Sequence, residues 1–248
     1  MPQPNEVILE GNGLTQYFGG SPALKDVSFR AGRGEILGLI GPNGAGKTTL
    51  LNIIGGVLKP TSGQVLFHNR KITGMRPHAV ARLGVARVLQ TPRPFHSMTV
   101  RENVAVGVLF AGRDRHVTMS TAATHAESTL ELMGLADKRH LPITSLTLQE
   151  KKMVELAKAL AMTPEVTLID EVMSGLNPAE IEDSMRLIKR VRDIMQVTII
   201  WVEHVMKAIM GVAERVIVLN YGQVIAMGSP GEVAGNEAVI EAYLGREG

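Results

Sequence analysis

The octapeptide Gly41-Pro42-Asn43-Gly44-Ala45-Gly46-Lys47-Thr48 constrains this chain more than any other segment. It fits the pattern G-x-x-x-x-G-K-[ST], follows an apolar run of strand length, Glu35–Ile40, and opens a stretch of helical period through Leu50–Ile54. Glycines at 41, 44 and 46 let successive backbone N–H groups turn into one concavity, where they and the N-terminus of the following helix attract phosphate oxygens. In such a loop Lys47 neutralises phosphate charge, and the Thr48 hydroxyl offers an oxygen to a hard cation such as Mg2+.

Four more apolar runs of strand length occur at Val85–Gln90, Val166–Ile169, Val197–Val202 and Arg215–Leu219, and stretches of helical period alternate with several of them. That alternation predicts an α/β fold with a mainly parallel sheet. Between Thr91 and Thr163 the pattern changes to helices without clear strands, at Val100–Phe110, Ala122–Met133 and Gln149–Met162. The expected division is therefore an α/β core from residues 1–90 and 164–248, with a helical subdomain at 91–163 inserted into it. Asn177-Pro178-Ala179-Glu180 and Ser229-Pro230-Gly231-Glu232 each combine a capping side chain, proline at the first helical position and glutamate at the third, which marks two helix starts.

Composition removes several function classes. A chain of 248 residues, 45% hydrophobic and 20% charged, can bury a full core. A formal net charge of +2 is too balanced for a nucleic-acid-binding surface, and Arg186, Lys189, Arg190 and Arg192 read as the solvated face of one helix. With no cysteine, disulfides and thiolate zinc sites are excluded. The start Met-Pro-Gln-Pro-Asn-Glu has neither a basic nor an apolar region, so no signal peptide is expected. Apolar runs fall short of the roughly 18 residues a spanning helix needs, so any membrane contact is expected to go through a partner.

Val166-Thr167-Leu168-Ile169-Asp170-Glu171 is an apolar strand ending in two carboxylates. A period of two sends neighbouring side chains in different directions, which suits two tasks: Asp170 for holding Mg2+, Glu171 for accepting a proton from an attacking water. No Asn/Thr-Lys-x-Asp stretch follows, which argues against guanine recognition.

Taken in order, Gly41–Thr48, Gln90, Ser145–Glu150, Asp170-Glu171, Ser174–Asn177 and His204 resemble the Walker A, Q-loop, signature, Walker B, D-loop and H-loop of the ABC-transporter nucleotide-binding domain, over nearly the whole chain. The resemblance implies a P-loop NTPase core with an N-terminal antiparallel β portion and an inserted helical subdomain, ATP and Mg2+ as ligands, and ATP hydrolysis as the activity. It implies that Gly41, Pro42, Asn43, Gly44, Ala45, Gly46, Lys47, Thr48 and Thr49 hold the nucleotide, that Thr48, Gln90 and Asp170 serve the metal, and that Glu171, His204, Lys47 and Gln90 act in catalysis. An aromatic residue upstream of the loop stacks on adenine in this family; Phe18 is the first choice and Tyr17 the alternative.

The signature departs from the family's Leu-Ser-Gly-Gly-Gln. Here it reads Leu146-Thr147-Leu148-Gln149-Glu150, and the match at Val154–Leu160 keeps the alignment in register. Thr147 keeps a hydroxyl for the partner's nucleotide and starts a Thr-x-x-Glu capping box, but Leu148 and Gln149 put side chains where glycines allow close approach. A heterodimer with one stronger and one weaker site is the expectation, a homodimer the alternative. Glu171–Pro178 and the ending Leu219–Gly245 resemble subunits of branched-chain amino-acid importers, with amide and urea importers of that group also open. By the same resemblance, Thr91–Val100 docks on transmembrane permease subunits, placing the chain peripherally at the cytoplasmic face of the membrane without nucleic-acid contact. The rival readings are a non-transport ABC ATPase and a catalytically weak regulatory ATP-binding subunit.

Overall fold

The computed structural model describes residues 6–110 and 117–244. Two sheets form the α/β body. The first is antiparallel, in the order β2-β1-β4-β5, from β1 (Val7–Phe18), β2 (Ser21–Gly32), β4 (Ser62–Phe67) and the short β5 (Arg70–Lys71). The second has the order β10-β9-β3-β8-β7-β6, from β3 (Ile36–Ile40), β6 (Val85–Val88), β7 (Val166–Asp170), β8 (Thr198–Val202), β9 (Arg215–Asn220) and β10 (Gln223–Gly228). All neighbours in it run parallel except β10, which turns back on β9 through Tyr221-Gly222, both at positive φ. The expected α/β core with a mainly parallel sheet and an N-terminal antiparallel portion is what the chain adopts.

Nine helices among the described residues complete it: α1 (Lys47–Ile54), α2 (Pro77–Leu83), α3 (Val100–Phe110), α4 (Met119–Leu132), α5 (Leu148–Leu160), α6 (Pro178–Met195), α7 (Met206–Val212), α8 (Pro230–Ala234) and α9 (Glu237–Leu244). Capping boxes at Thr147/Glu150, Asn177/Glu180 and Ser229/Glu232 start α5, α6 and α8. Residues 91–163 contribute α3, α4, α5 and no strand among those described.

Strand parity decides what each side chain meets. Ile36 and Ile40 of β3, Ile169 of β7 and Ile199 and Trp201 of β8 enter the core shared with α3–α7, while Leu37, Leu39, Leu168, Ile200 and Val202 enter the core shared with α1, α2 and the antiparallel sheet. A strand buried on both faces needs no polar alternation, which is why these runs read as continuously apolar.

The structure shortens the Val85–Gln90 run. Pairing with β7 stops at Val88–Ile169, so Gln90 lies in the loop beyond the strand rather than closing it. In α6, Arg186, Lys189 and Arg190 are exposed as expected, but Arg192 is partly buried, paired with Glu214 and donating to the Gly34 carbonyl.

Candidate functional site

The loop between β3 and α1 wraps a cavity of about 220 Å3 lined by Ala23, Asn43, Gly44, Ala45, Gly46, Lys47, Thr48, Thr49, Glu171 and His204. Its backbone demands glycine: Gly46 caps α1 with φ 106°, and a Cβ there would come within 2.6 Å of the Ala23 carbonyl oxygen. Three parallel strands, β3, β7 and β8, end beside this loop, the place where ligands bind in open α/β sheets.

Lys47 is buried and its ammonium donates to the carbonyls of Gly41 (2.7 Å) and Pro42 (3.0 Å). Burial lowers its pKa from the usual lysine value, opposed by the charges of Glu171 and Asp170. Parity aims Asp170 at the α1 side of the sheet, where its side chain is almost fully buried and accepts from Arg87 at 3.3 Å. Burial raises the Asp170 carboxyl above the ordinary aspartate value, while Arg87 acts to lower it.

Glu171 breaks the strand. Its φ is 51°, in the left-handed region that a glutamate rarely adopts, and its N–H donates to the Val202 carbonyl at 2.9 Å. The turn swings its carboxylate between two residues from other elements: the Gln90 amide donates to Oε2 at 2.5 Å, and Nε2 of His204 lies 2.5 Å from Oε1. A carboxylate there makes Nε2 the protonated nitrogen of the ring. Backbone strain of this kind persists only where surrounding contacts hold it, and it clusters at working sites.

Thus Lys47, Thr48, Thr49, Glu171 and His204 share one cavity with Asn43–Gly46, and Gln90 reaches it through Glu171. Pro42 borders a second cavity, of about 660 Å3, between the loop and Asn220, Tyr221 and α9. Phe18 ends β1 half-exposed beside Tyr17, and neither lines either cavity. Thr147 stands at the N-terminus of α5, where its hydroxyl accepts the Glu150 N–H, and lines neither cavity.

Sequence reading missed four residues that hold this arrangement. The buried Glu203 carboxylate accepts the Met173 N–H at 2.7 Å, fixing the loop after Glu171 to the end of β8. Lys152 of α5 is buried and donates to the Ser174 carbonyl at 2.6 Å, tying the signature helix to that loop. Buried Asn103 exchanges hydrogen bonds with the Phe95 backbone and donates to the Thr99 carbonyl. Arg87 bridges to Asn52 and Asp170. Of these only Arg87 is a polar residue inside an otherwise apolar stretch, Val85–Val88, which is a signal that could have found it.

The ABC transporter family profile matches residues 24–174, which span the cavity-forming loop, Gln90, Asp170 and Glu171. The chain belongs to the ABC transporter family. As an ATP-binding subunit of that family it is an ATPase. A second profile, that of the branched-chain amino acid ATP-binding cassette transporters, matches this ABC subunit at residues 223–248. The high-affinity branched-chain amino acid transport ATP-binding protein LivG of Salmonella typhimurium is 38% identical, with 99% of each chain covered. The lipopolysaccharide export system ATP-binding protein LptB of Acidithiobacillus ferridurans is 33% identical over 96% of this chain and 97% of its own. Among solved structures, the ADP conformation of MJ1267, an ATP-binding cassette of an ABC transporter, superposes with a TM-score of 0.86 at 29% identity, covering 97% of this ABC subunit and 99% of that chain.

The donors around the ABC subunit's phosphate loop suit Mg2+. Thr48, Gln90 and Asp170 supply hydroxyl, amide and carboxylate oxygens, and among the described residues no group of three or more His, Cys, Asp or Glu could hold a metal unaided. Mg2+ takes oxygen donors and is typically held by one or two carboxylates together with substrate phosphates and water, so hydroxyl, amide and carboxylate oxygens are a donor set that fits it. No helix among the described residues is long and apolar enough to cross a membrane.

Proposed function

We propose that this chain powers an importer of branched-chain or other hydrophobic amino acids, paired with a second ABC ATPase subunit and docked on transmembrane permease subunits at the cytoplasmic face of the membrane. The observation that carries the solute class is the match of residues 223–248 to the branched-chain profile, because the ATPase loop itself is common to import and export relatives.

Residues 1–90 and 164–248 act as the ATP-binding core, and 91–163 as the helical subdomain that carries the signature. In this reading the backbone from Gly41 to Thr49 cradles the ATP phosphates and Lys47 neutralises them, while Phe18 stacks on adenine. Thr48, Gln90 and Asp170 would hold Mg2+, which would supply charge neutralisation for the phosphates. The Gln90 Nε2 is spent on Glu171, which leaves its Oε1 end for the metal. Glu171 accepts a proton from the attacking water, and His204 contacts the γ-phosphate. The donors are preorganised, so most of the rate comes from positioning and charge stabilisation. Thr147, at the capped N-terminus of α5, contacts the partner's nucleotide, and the exposed Leu148 beside it weakens that site. One strong and one weak site in a heterodimer follow.

The segment Thr91–Val100 offers exposed Arg93 and Phe95 for the permease, held in shape from beneath by Asn103. Reconstitution of the chain with its neighbouring ATPase and permease subunits into liposomes tests the reading. ATP-driven leucine accumulation, lost with Lys47→Ala, is expected. Hydrolysis without accumulation of leucine, amide or urea would reject the importer assignment, and no hydrolysis despite ATP binding would favour the regulatory alternative.

A further inference from the structure

Arg87 sits in the middle of β6 between Ala86 and Val88, and parity sends its side chain to the α1 face of the sheet, the same face as Asp170. Its guanidinium is a fork with two destinations. One amino group donates to Asn52 Oδ1 at 2.5 Å, and the other donates to Asp170 Oδ2 at 3.3 Å. The Asp170 side chain is buried, 6% exposed, and that of Arg87 is partly buried, 13% exposed. The stem passes under the C-terminal end of α1, where a Cβ on Gly55 would lie 3.4 Å from Arg87 Cδ.

Asn52 lies four residues after Thr48 on α1, so the two share a helix face. We propose that Arg87 is a positioning residue for the metal: the strut Asn52–Arg87–Asp170 fixes the helix carrying Thr48 against the strand end carrying Asp170, and so sets the spacing of the two oxygen donors. The inference rests on the metal-holding role proposed for those two residues.

The chemistry favours arginine over any substitute. A planar fork holds an amide and a carboxylate in fixed relative directions, whereas a lysine ammonium is a point charge on a flexible stem. Binding one oxygen of Asp170 orients the carboxylate while leaving Oδ1 to face an ion. A group that orients a metal ligand from behind typically changes metal affinity by about ten- to a hundredfold when removed.

The test measures the affinity of the full-length chain for a fluorescent ATP analogue, in Mg2+ and in EDTA, for the wild type and for Arg87→Met, Arg87→Lys and Asn52→Ala. The wild type is expected to bind more tightly in Mg2+. Arg87→Met is expected to lose about tenfold or more of that gain with unchanged affinity in EDTA. Arg87→Lys is expected to recover part of it, and Asn52→Ala to lose a smaller part, since it keeps the Arg87–Asp170 pair and should fold even if Arg87→Met does not. Equal losses in Mg2+ and EDTA, or an unchanged Mg2+ gain in both Arg87→Lys and Asn52→Ala, would overturn the strut. A wild type with no Mg2+ gain would instead overturn the metal reading of Thr48 and Asp170, and the strut with it.

Discussion

His204 and Glu171, 33 residues apart, meet with Nε2 2.5 Å from Oε1. The contact exists because Glu171 leaves the strand in a left-handed turn, which takes its carboxylate out of the direction set by Asp170 and toward the loop after β8. Glu171→Gln preserves the shape and one acceptor oxygen but removes the base. Hydrolysis is expected to fall by about 10²- to 10⁴-fold while ATP binding persists, as for loss of a general base. Steady-state turnover beside a nucleotide-binding isotherm checks this, and turnover within a factor of two of wild type would take the base role away from Glu171.

Lys47 tests the loop itself. Its ammonium is held by two loop carbonyls inside the cavity, so Lys47→Ala removes the buried cation without touching the glycines. Hydrolysis should drop by about 10²- to 10³-fold, the usual effect of deleting one preorganised electrostatic group. ATP affinity should weaken in the same variant.

The broken signature predicts an effect on the partner rather than on this chain's own site. Leu148 is 63% exposed at the start of α5, directly after the capping Thr147. Leu148→Gly with Gln149→Gly should raise hydrolysis at the site this chain completes for its partner, measured in a heterodimer carrying Glu171→Gln in this chain. No rise would end the proposal of unequal sites.

Glu203 gives a pH prediction for stability. Burial raises its pKa above the ordinary 4.5 in the folded protein, so the folded state holds a proton that the unfolded state has released. Stability therefore falls as pH rises from about 4.5 through the folded pKa, and the loss is complete above it. Glu203→Gln keeps an acceptor for the Met173 N–H but cannot ionise. Its urea midpoint should fall less than that of the wild type over this pH range, and parallel curves would exclude Glu203 as the cause.

Gly107 predicts how tightly the helices of the 91–163 segment pack. A Cβ on it would overlap the Lys158 carbonyl oxygen, so α3 and α5 approach closely at this residue. Gly107→Ala should destabilise by about 1–3 kcal/mol, the usual range for overpacking. Thermal unfolding of the two proteins would show it.

Much of this protein was legible in its residues because the signals are local. The phosphate loop announces itself through glycines that only a left-handed backbone needs, and the helix starts through side chains that bond within three residues. The core strands show as unbroken apolar runs because both their faces are buried. Strand period predicts different directions for Asp170 and Glu171, but β7 ends at Asp170, and a left-handed turn rather than the strand period sets where the Glu171 carboxylate goes. What the sequence could not supply was which distant groups close on them. That Gln90 and His204 both bond Glu171, that Glu171 itself turns left-handed, and that Arg87 ties Asn52 to Asp170 all depend on strand order and parity in the sheet. The β3-β8-β7-β6 order brings residues far apart in the chain to one edge, and a period of two decides which face each side chain enters. Those are properties of strand pairing, and pairing is a contact between segments that neither segment encodes alone.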